Sequence, residues 1–259
     1  MKHLGILGVG HLASYLVPGW ARGKDRPSFL LSPRNAAVAA RLERDYGCHV
    51  ASDNAALVRE SDVVVLATRP GHAVAAVRGL PWRAQQTVVS VVAGLEIAVL
   101  APAVAPAQLV RSMPITSAAV AESPTLLYPE DAVARALFEP LGPVLVLPDE
   151  AAFTSASVIA ALYGWVYALI GEAASWSEAS GLAPDLARRL VAQTFKGAAA
   201  MTLERPEEPL SEIVAGLATP GSITKLGLDH LEQAEVLRQW RTACDLVLQR
   251  LENDHAKAE

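Results

Sequence analysis

The pattern of apolar and polar positions divides the chain into two parts of different character. Up to about residue 150, short apolar runs alternate with amphipathic segments, which is typical of strands and helices that alternate around a parallel sheet. The predicted strands span residues 4–7, 28–32, 48–51, 62–67, 86–94, 108–113, 124–128 and 142–147. We therefore predict an α/β fold whose N-terminal part is a Rossmann-type doubly wound sheet, with ligands bound beyond the carboxyl ends of its strands.

From residue 151 onward the periodicity is helical throughout. The predicted helices span residues 151–180 and 184–203, followed by a short helix, a turn at Thr219–Gly221 and one final helix to about Asn253. The first two are apolar on nearly all sides, and such helices need cover on most of them. We therefore predict an NADP-binding domain at 1–150 and an all-helical substrate and dimerisation domain at 151–259, which forms a homodimer or higher homo-oligomer.

The first predicted strand runs into the sequence Gly8-x-Gly10-x-x-Ala13, which has the spacing of a dinucleotide-binding turn. In such a turn the first glycine allows a tight bend and the second lets a pyrophosphate approach the backbone. The small third residue lets helix and strand pack closely. His11 and Leu12 lie in the same turn and are predicted neighbours of the cofactor, although His11 could equally face solvent. The alternative is a glycine-rich turn without a ligand.

The end of the second predicted strand bears on the choice of dinucleotide. NAD sites have an acidic residue there for the ribose 2′-hydroxyl, whereas NADP sites have a cation for the 2′-phosphate. Ser32 and Arg34 lie at this end, and no Asp or Glu occurs between Arg26 and Arg41. A guanidinium is well suited to phosphate. We therefore predict NADP (NADPH) as the cofactor; the alternative is an ordinary surface arginine.

Loops at the carboxyl ends of other predicted strands supply further candidates, because that edge of the sheet is where ligands bind. For the cofactor they are Ala67, Thr68, Arg69, Pro70 and Ala93, and for the substrate Met113 and Pro114.

Composition and charge narrow the class of protein. A net charge of −5 without a Lys/Arg cluster argues against a nucleic-acid surface. Cys48 and Cys244 lie far apart without the spacing of a metal site, so we predict reduced cysteines and no metal. The chain enters its first strand directly, and we find no apolar run of transmembrane length. We expect a cytoplasmic protein with a small-molecule substrate and no membrane partner.

Several short segments occur in the order found in one known family. They are Gly8–Ala13, Asp53–Asn54, Leu66–Pro70, Ser90–Gly94, Arg111–Pro114, Gln193–Ala198 and Thr219–Thr224. Leu66–Pro70 is similar to the family's Ala-Val-Lys-Pro, and Thr219–Thr224 to its Ser-Pro-Gly-Gly-Thr-Thr. Over nearly its whole length the chain thereby resembles the pyrroline-5-carboxylate reductases, within the 6-phosphogluconate dehydrogenase C-terminal-like superfamily.

The resemblance implies an NAD(P)H-dependent reductase of proline biosynthesis, which reduces the C=N bond of a small cyclic imine. It implies an active site between the two domains, completed at a dimer interface, and it adds Asn54 to the cofactor-binding residues. It also implies that Thr224 hydrogen-bonds the ring nitrogen and that backbone N–H groups near Gly221 and Ser222 hold a substrate carboxylate. From the residues alone, Thr219–Gly221 is a turn before a helix cap.

One segment departs from the family. Where the family has Ser-Gly-Ser-Gly-Pro-Ala-Tyr lining the substrate site, this chain has Ile159-Ala-Ala-Leu-Tyr-Gly-Trp165. A site that loses hydrogen-bonding groups loses discrimination, so the resemblance leaves the particular imine open. Tyr163 is a candidate proton donor or nitrogen partner, and the alternative is an aromatic residue of the core.

Two other functions stay open. The first is a ketone or hydroxyacid dehydrogenase on the same fold, which needs an acid from Lys196, His72 or Tyr163. Lys196 lies in a segment that fits the reductase pattern, where it has a structural role. The second is an NADP-binding protein without turnover, which the altered segment at 159–165 favours.

Overall fold

The structure is a computed structural model that describes residues 2–23 and 26–256. The chain divides into two compact units, Met1–Ala160 with Leu248–Glu259, and Ala161–Val247. The predicted domain boundary at residue 150 coincides with the start of a long helix, Glu150–Ala179, within which the two units divide.

The first unit is built on a sheet of eight strands in the order β3-β2-β1-β4-β5-β6-β7-β8. All neighbouring pairs are parallel except β6 and β7. The strands are β1 (His3–Leu7), β2 (Ser28–Leu31), β3 (His49–Val50), β4 (Val63–Leu66), β5 (Thr87–Ser90), β6 (Gln108–Met113), β7 (Thr125–Tyr128) and β8 (Val144–Val146). The predicted doubly wound fold is confirmed. Strand order reverses between β1 and β4, and their carboxyl ends form the crevice where such sheets bind ligands.

Helices connect most of the strands of the first unit. They are α1 (Ala13–Ala21), α2 (Ala36–Tyr46), α3 (Asn54–Glu60), α4 (Pro70–Val77), α5 (Ile97–Val104) and α6 (Ala132–Phe138), with 3₁₀ turns at Thr116–Val120 and Glu139–Leu141. Neither α5 nor α6 was predicted from the sequence. Both are short, and α5 contains Pro102, a residue that normally ends a helix.

The sheet carries an apolar core on each face. On one face Leu4, Ile6 and Leu16 are buried together with Trp20, whose indole N–H donates to the Leu137 carbonyl at 2.7 Å. On the other face the core contains β4 and β5 side chains together with those of α3, α4 and α5. Each fully buried large apolar side chain contributes about 1.5–3 kcal/mol. The continuous apolar runs of the sequence are therefore the strands covered on both faces.

The surroundings of Cys48 and Asp62 shift the pKa values of both side chains. Burial raises the pKa of the Cys48 thiol to about 11. At the start of β1, the Asp62 carboxylate accepts hydrogen bonds from the backbone N–H groups of Lys2 and His3, which lowers its pKa. The buried Cys48 is a small core residue rather than a reactive thiol.

The second unit consists of helices. Its elements come from α7 (Glu150–Ala179), α8 (Pro184–Glu204), α9 (Leu210–Leu217), α10 (Ile223–Gln233) and α11 (Val236–Ala256). The prediction of one final helix to Asn253 is wrong, because the chain breaks at Ala234–Glu235 into α10 and α11. Glu235 takes the left-handed conformation with φ 52°, which ends a helix.

Helix α7 also corrects the expectation that no apolar run reaches transmembrane length. By length and composition this helix of 30 residues, with a mean hydropathy of 1.6 over its most apolar window, could cross a membrane. One such helix among the described residues is weak evidence, because the core helix of a soluble protein passes the same test. Glu172 and Glu178 interrupt its apolar surface.

Candidate active site

The turn after β1 has the geometry that its glycines predict. Gly8 has φ +106°, and a Cβ there would lie 2.7 Å from the Ala67 backbone, so a side chain cannot be accommodated. A Cβ at Gly10 would meet nothing within 4 Å, so the backbone there is open to a close ligand. Ala13 is fully buried at the start of α1. The open Gly10 and the packed Gly8 fit a pyrophosphate bound over this turn.

Two side chains from the end of β2 hold the turn in shape. The Gly8 N–H donates to the Ser32 hydroxyl at 3.0 Å, and Ser32 is almost fully buried. Asn35 adopts the left-handed conformation with φ 66°, and its amide donates to the Val9 carbonyl at 2.9 Å. Ser32 was predicted as a ligand of the cofactor, and its hydroxyl oxygen is used to position the turn. Nothing in the sequence predicted the hydrogen bond from Asn35 to Val9.

A cavity of about 290 Å³ opens beside this turn. It is lined by Gly8, Val9, Gly10, Arg34, Asn35, Ala67, Thr68, Arg69 and His72. Every charged or titratable residue of this lining is basic, and no salt bridge between described residues involves Arg34 or Arg69. The cavity therefore has the electrostatics of an anion site, and we call it the basic cleft.

Several other predicted cofactor neighbours lie at the same edge of the sheet without lining the basic cleft. His11 is exposed and packs edge-on against Tyr15 at 5.0 Å between ring centroids, and Leu12 is half-buried. Asn54 begins α3, Pro70 begins α4, and Ala93 is exposed in the turn after β5. Their roles remain predictions.

At the end of β6 the structure shows an ion pair that the sequence analysis missed. Arg111 is 2 % exposed, and its guanidinium pairs with the carboxylate of Glu150 and stacks over the Phe153 ring at 4.3 Å. Glu150 also accepts a hydrogen bond from the Ile97 N–H at 2.9 Å, so it joins β6, α5 and α7. The sequence did contain one indication of this pair, because Arg111 is a charged residue inside an apolar strand. A charged side chain that is buried requires a partner.

Met113 and Pro114, the predicted substrate neighbours after β6, are both buried. Next to them, the Ser112 hydroxyl is buried without a hydrogen-bond partner among the described residues. Met113 lies two residues beyond Arg111, so the ion pair fixes the strand from which Met113 and Pro114 extend.

In the helical unit, Tyr163 lies one turn before Tyr167 on α7. Their hydroxyl groups are 3.1 Å apart, and their rings meet edge to face at 5.1 Å. Tyr163 is half-buried, and Trp165 packs on Trp240 of α11 at 6.1 Å between ring centroids. Tyr163 is thus neither a fully buried core residue nor an isolated phenol.

The turn that precedes α10 contains the other predicted catalytic and substrate residues. Gly221 has φ +81°, and the Ser222 hydroxyl caps α10 by accepting from the Lys225 N–H at 3.1 Å. Thr224 is exposed in the first turn of α10, and Lys196 is exposed on α8. The turn and helix cap are observed, and a catalytic role of Thr224 remains a prediction. Among the described residues there is no group of three or more His, Cys, Asp or Glu side chains that could hold a metal ion.

Comparison with known proteins gives two family matches. Residues 3–94 match a family described as NADP oxidoreductase coenzyme F420-dependent, and residues 150–253 match pyrroline-5-carboxylate reductase dimerisation. Pyrroline-5-carboxylate reductase 1 of Bacillus spizizenii is 28 % identical over 247 residues, covering 90 % of this chain and 82 % of that protein. The Pseudomonas aeruginosa pyrroline-5-carboxylate reductase is 28 % identical over 241 residues, with 88 % of each chain covered.

The fold is shared as well. The crystal structure of Plasmodium falciparum pyrroline carboxylate reductase with NADP bound matches with a TM-score of 0.87 and 22 % identity, over 98 % of both chains. The glycine turn, the basic cleft and the doubly wound sheet define an oxidoreductase of the Rossmann class. The two family matches and the relatives narrow this class further. The helical part of the chain matches the dimerisation domain of the pyrroline-5-carboxylate reductases, and about nine tenths of the chain is similar to reductases of that family.

Proposed function

We propose that the protein is an NADPH-dependent reductase that transfers a hydride to the C=N carbon of a small cyclic imine. The observation that carries the cofactor half of this proposal is the basic cleft beside the open Gly10 turn. The substrate half rests on the similarity of the chain to relatives that are pyrroline-5-carboxylate reductases, and on the match of residues 150–253 to their dimerisation domain. In this proposal residues 1–150 bind the cofactor and residues 151–259 supply the substrate and dimer contacts.

The residues of the cleft would bind and orient the cofactor. Backbone N–H groups at the start of α1 would hold the pyrophosphate, because the helix dipole favours negative charge there. Arg34 would bind the 2′-phosphate through its planar guanidinium, and Arg69 adds positive charge along the same cleft. When bound, the reduced nicotinamide supplies the hydride.

The remaining demand on the protein is modest, because a cyclic imine can enter already protonated and needs no strong acid. Thr224 would hold the ring nitrogen, and backbone N–H groups near Gly221 and Ser222 would hold a carboxylate. Tyr163 is the second candidate for the nitrogen. The protein thereby contributes orientation and electrostatics rather than a separate covalent step.

The helical unit supports a homodimer as part of this proposal. Trp176 is 70 % exposed, Leu203 82 % and Leu226 75 %, an unusual number of large apolar side chains for the surface of a monomer. The match to a dimerisation family covers the same residues. Light scattering after gel filtration tests this part, and a monomer at micromolar concentration contradicts it. We also infer a cytoplasmic location, which cell fractionation tests.

The first test of function is NADPH oxidation at 340 nm by the purified protein with pyrroline-5-carboxylate, and then with bulkier, less polar cyclic imines. Turnover of either kind supports an imine reductase, and the better substrate shows what segment 159–165 selects. Thr224→Val is expected to lower turnover while NADPH binding is unchanged. NADPH binding without oxidation of any imine would contradict the proposal.

A further inference from the structure

Thr68 has a hydroxyl group that nothing in the chain explains. The residue follows β4 and lines the basic cleft, where it is half-buried. Its Oγ1 is shielded from solvent and has no hydrogen-bond partner among the described residues. A buried hydroxyl without a partner destabilises the fold relative to an apolar group of the same shape. Valine is that group, and the family's Ala-Val-Lys-Pro motif has valine at this position.

The position of Thr68 relative to the glycine turn indicates which ligand atoms it would meet. The Thr68 backbone nitrogen would lie 2.8 Å from a Cβ on Gly8, so the residue borders the turn over which a pyrophosphate fits. Thr68 lines the cleft, and rotation about its Cα–Cβ bond moves the hydroxyl among three staggered positions, from which it could reach a ligand bound there. A ligand oxygen there would supply the hydrogen bond that the chain lacks.

We propose that the Thr68 hydroxyl hydrogen-bonds an oxygen of the ribose–pyrophosphate part of the dinucleotide. This inference rests on the proposed function and adds to it a cofactor contact made by a residue in which the chain departs from the family motif. NADPH and NADH share the ribose–pyrophosphate part that this hydroxyl would contact. It therefore governs affinity for both dinucleotides, whereas Arg34 governs the choice between them.

The test is Thr68→Val with two readouts that do not depend on turnover. Dissociation constants for NADPH and NADH, measured by fluorescence titration, are expected to rise by a similar factor of about 10. The thermal midpoint of the protein without ligand is expected to equal or exceed that of the wild type, because no intramolecular hydrogen bond is lost. Thr68→Ser keeps the hydroxyl and is expected to bind both dinucleotides within about twofold of the wild type.

Ser112 offers a matched control, because its hydroxyl is also buried without a partner among the described residues and does not line the basic cleft. Ser112→Ala is expected to leave both dissociation constants unchanged. The inference would be overturned if Thr68→Val left the dinucleotide affinities unchanged, or if Ser112→Ala lowered them by the same factor. It would also be overturned if Thr68→Val lowered the thermal midpoint of the protein without ligand. If the wild type binds neither dinucleotide, the proposed function fails and the inference fails with it. If the wild type binds both and Thr68→Val binds them equally well, the inference alone fails.

Discussion

The buried ion pair between Arg111 and Glu150 makes an unequal prediction for its two partners. Glu150→Gln removes the negative charge and leaves a guanidinium that is only 2 % exposed without a counter-charge. Arg111→Met removes the positive charge and leaves a carboxylate that is 26 % exposed and still accepts from the Ile97 N–H. With glutamine at position 150, the arginine keeps the Phe153 ring as a neighbour but loses the carboxylate that balances its charge.

The magnitudes follow from this difference in burial. An uncompensated buried charge costs about 3–5 kcal/mol, and we assign this range to Glu150→Gln. The carboxylate left by Arg111→Met is partly solvated and hydrogen-bonded, so we expect about 1–3 kcal/mol. The double variant leaves no unpaired charge, and its loss is expected to be smaller than the sum of the two single losses. Arg135→Met breaks the exposed pair with Glu130 and is expected to cost less than about 1 kcal/mol.

Urea unfolding followed by circular dichroism measures these losses. With a denaturant slope of about 2 kcal/mol per molar, Glu150→Gln is expected to lower the midpoint by roughly 1.5–2.5 M. Equal midpoints for the two single variants would refute the burial argument. A double variant whose loss equals the sum would show that the two groups are not coupled.

Three further predictions concern the cleft and the core. Arg34→Glu is expected to weaken NADPH binding by roughly 100-fold and to leave NADH within a few-fold, because charge reversal acts on the 2′-phosphate alone; equal losses in titrations of the two would contradict this role. Gly8→Ala is expected to cost about 1–3 kcal/mol in thermal unfolding and to weaken both dinucleotides, because φ is +106° and the new Cβ would meet the Ala67 backbone at 2.7 Å. Gly79→Ala is the control for backbone strain alone, because Gly79 has φ +74° but a Cβ there would meet nothing within 4 Å. Equal effects of the two variants on dinucleotide binding would refute the steric reason. Cys48, with its pKa raised to about 11, is expected to react with iodoacetamide at pH 8 far more slowly in the folded protein than in urea, and equal rates would show that the thiol is accessible.

Strands β4 and β5 could be predicted because parallel strands covered on both faces are continuous apolar runs. Strands β3 and β8 were also predicted, although they are short and largely exposed. The bounds of helix α2 follow from the sequence, because Ala36–Tyr46 is amphipathic and Gly47 ends the helix in the left-handed conformation. Helix α5 was missed because its eight residues are too few for a clear period and include a proline. The break at Glu235 was missed because neither Gly nor Pro marks it.

The basic cleft could be predicted in outline, because the carboxyl ends of β1, β2 and β4 meet at one edge of a doubly wound sheet. This rule brings the Gly8 turn, Arg34 and the Ala67–Arg69 loop together without any knowledge of contacts. It cannot tell which side chains bind the ligand and which support the turn. Ser32 supports the turn, and the pairing of Arg111 with Glu150 joins residues 39 positions apart, which no local pattern reveals.

We expect the altered segment at 159–165 to change substrate choice without changing cofactor use. The family's Gly-Pro dipeptide disfavours a continuous helix, whereas Leu162-Tyr163 continues one, and α7 runs unbroken through 30 residues. Tyr163 and Tyr167 then fall one helical turn apart, so their hydroxyl groups bond each other at 3.1 Å. Because the resemblance assigns this segment to the substrate site, a paired phenol and larger apolar side chains replace small hydroxyl groups there. The cleft that would hold NADPH is built by other elements and is untouched by this change. We therefore expect an enzyme that keeps the family's cofactor and prefers an imine larger and less polar than pyrroline-5-carboxylate.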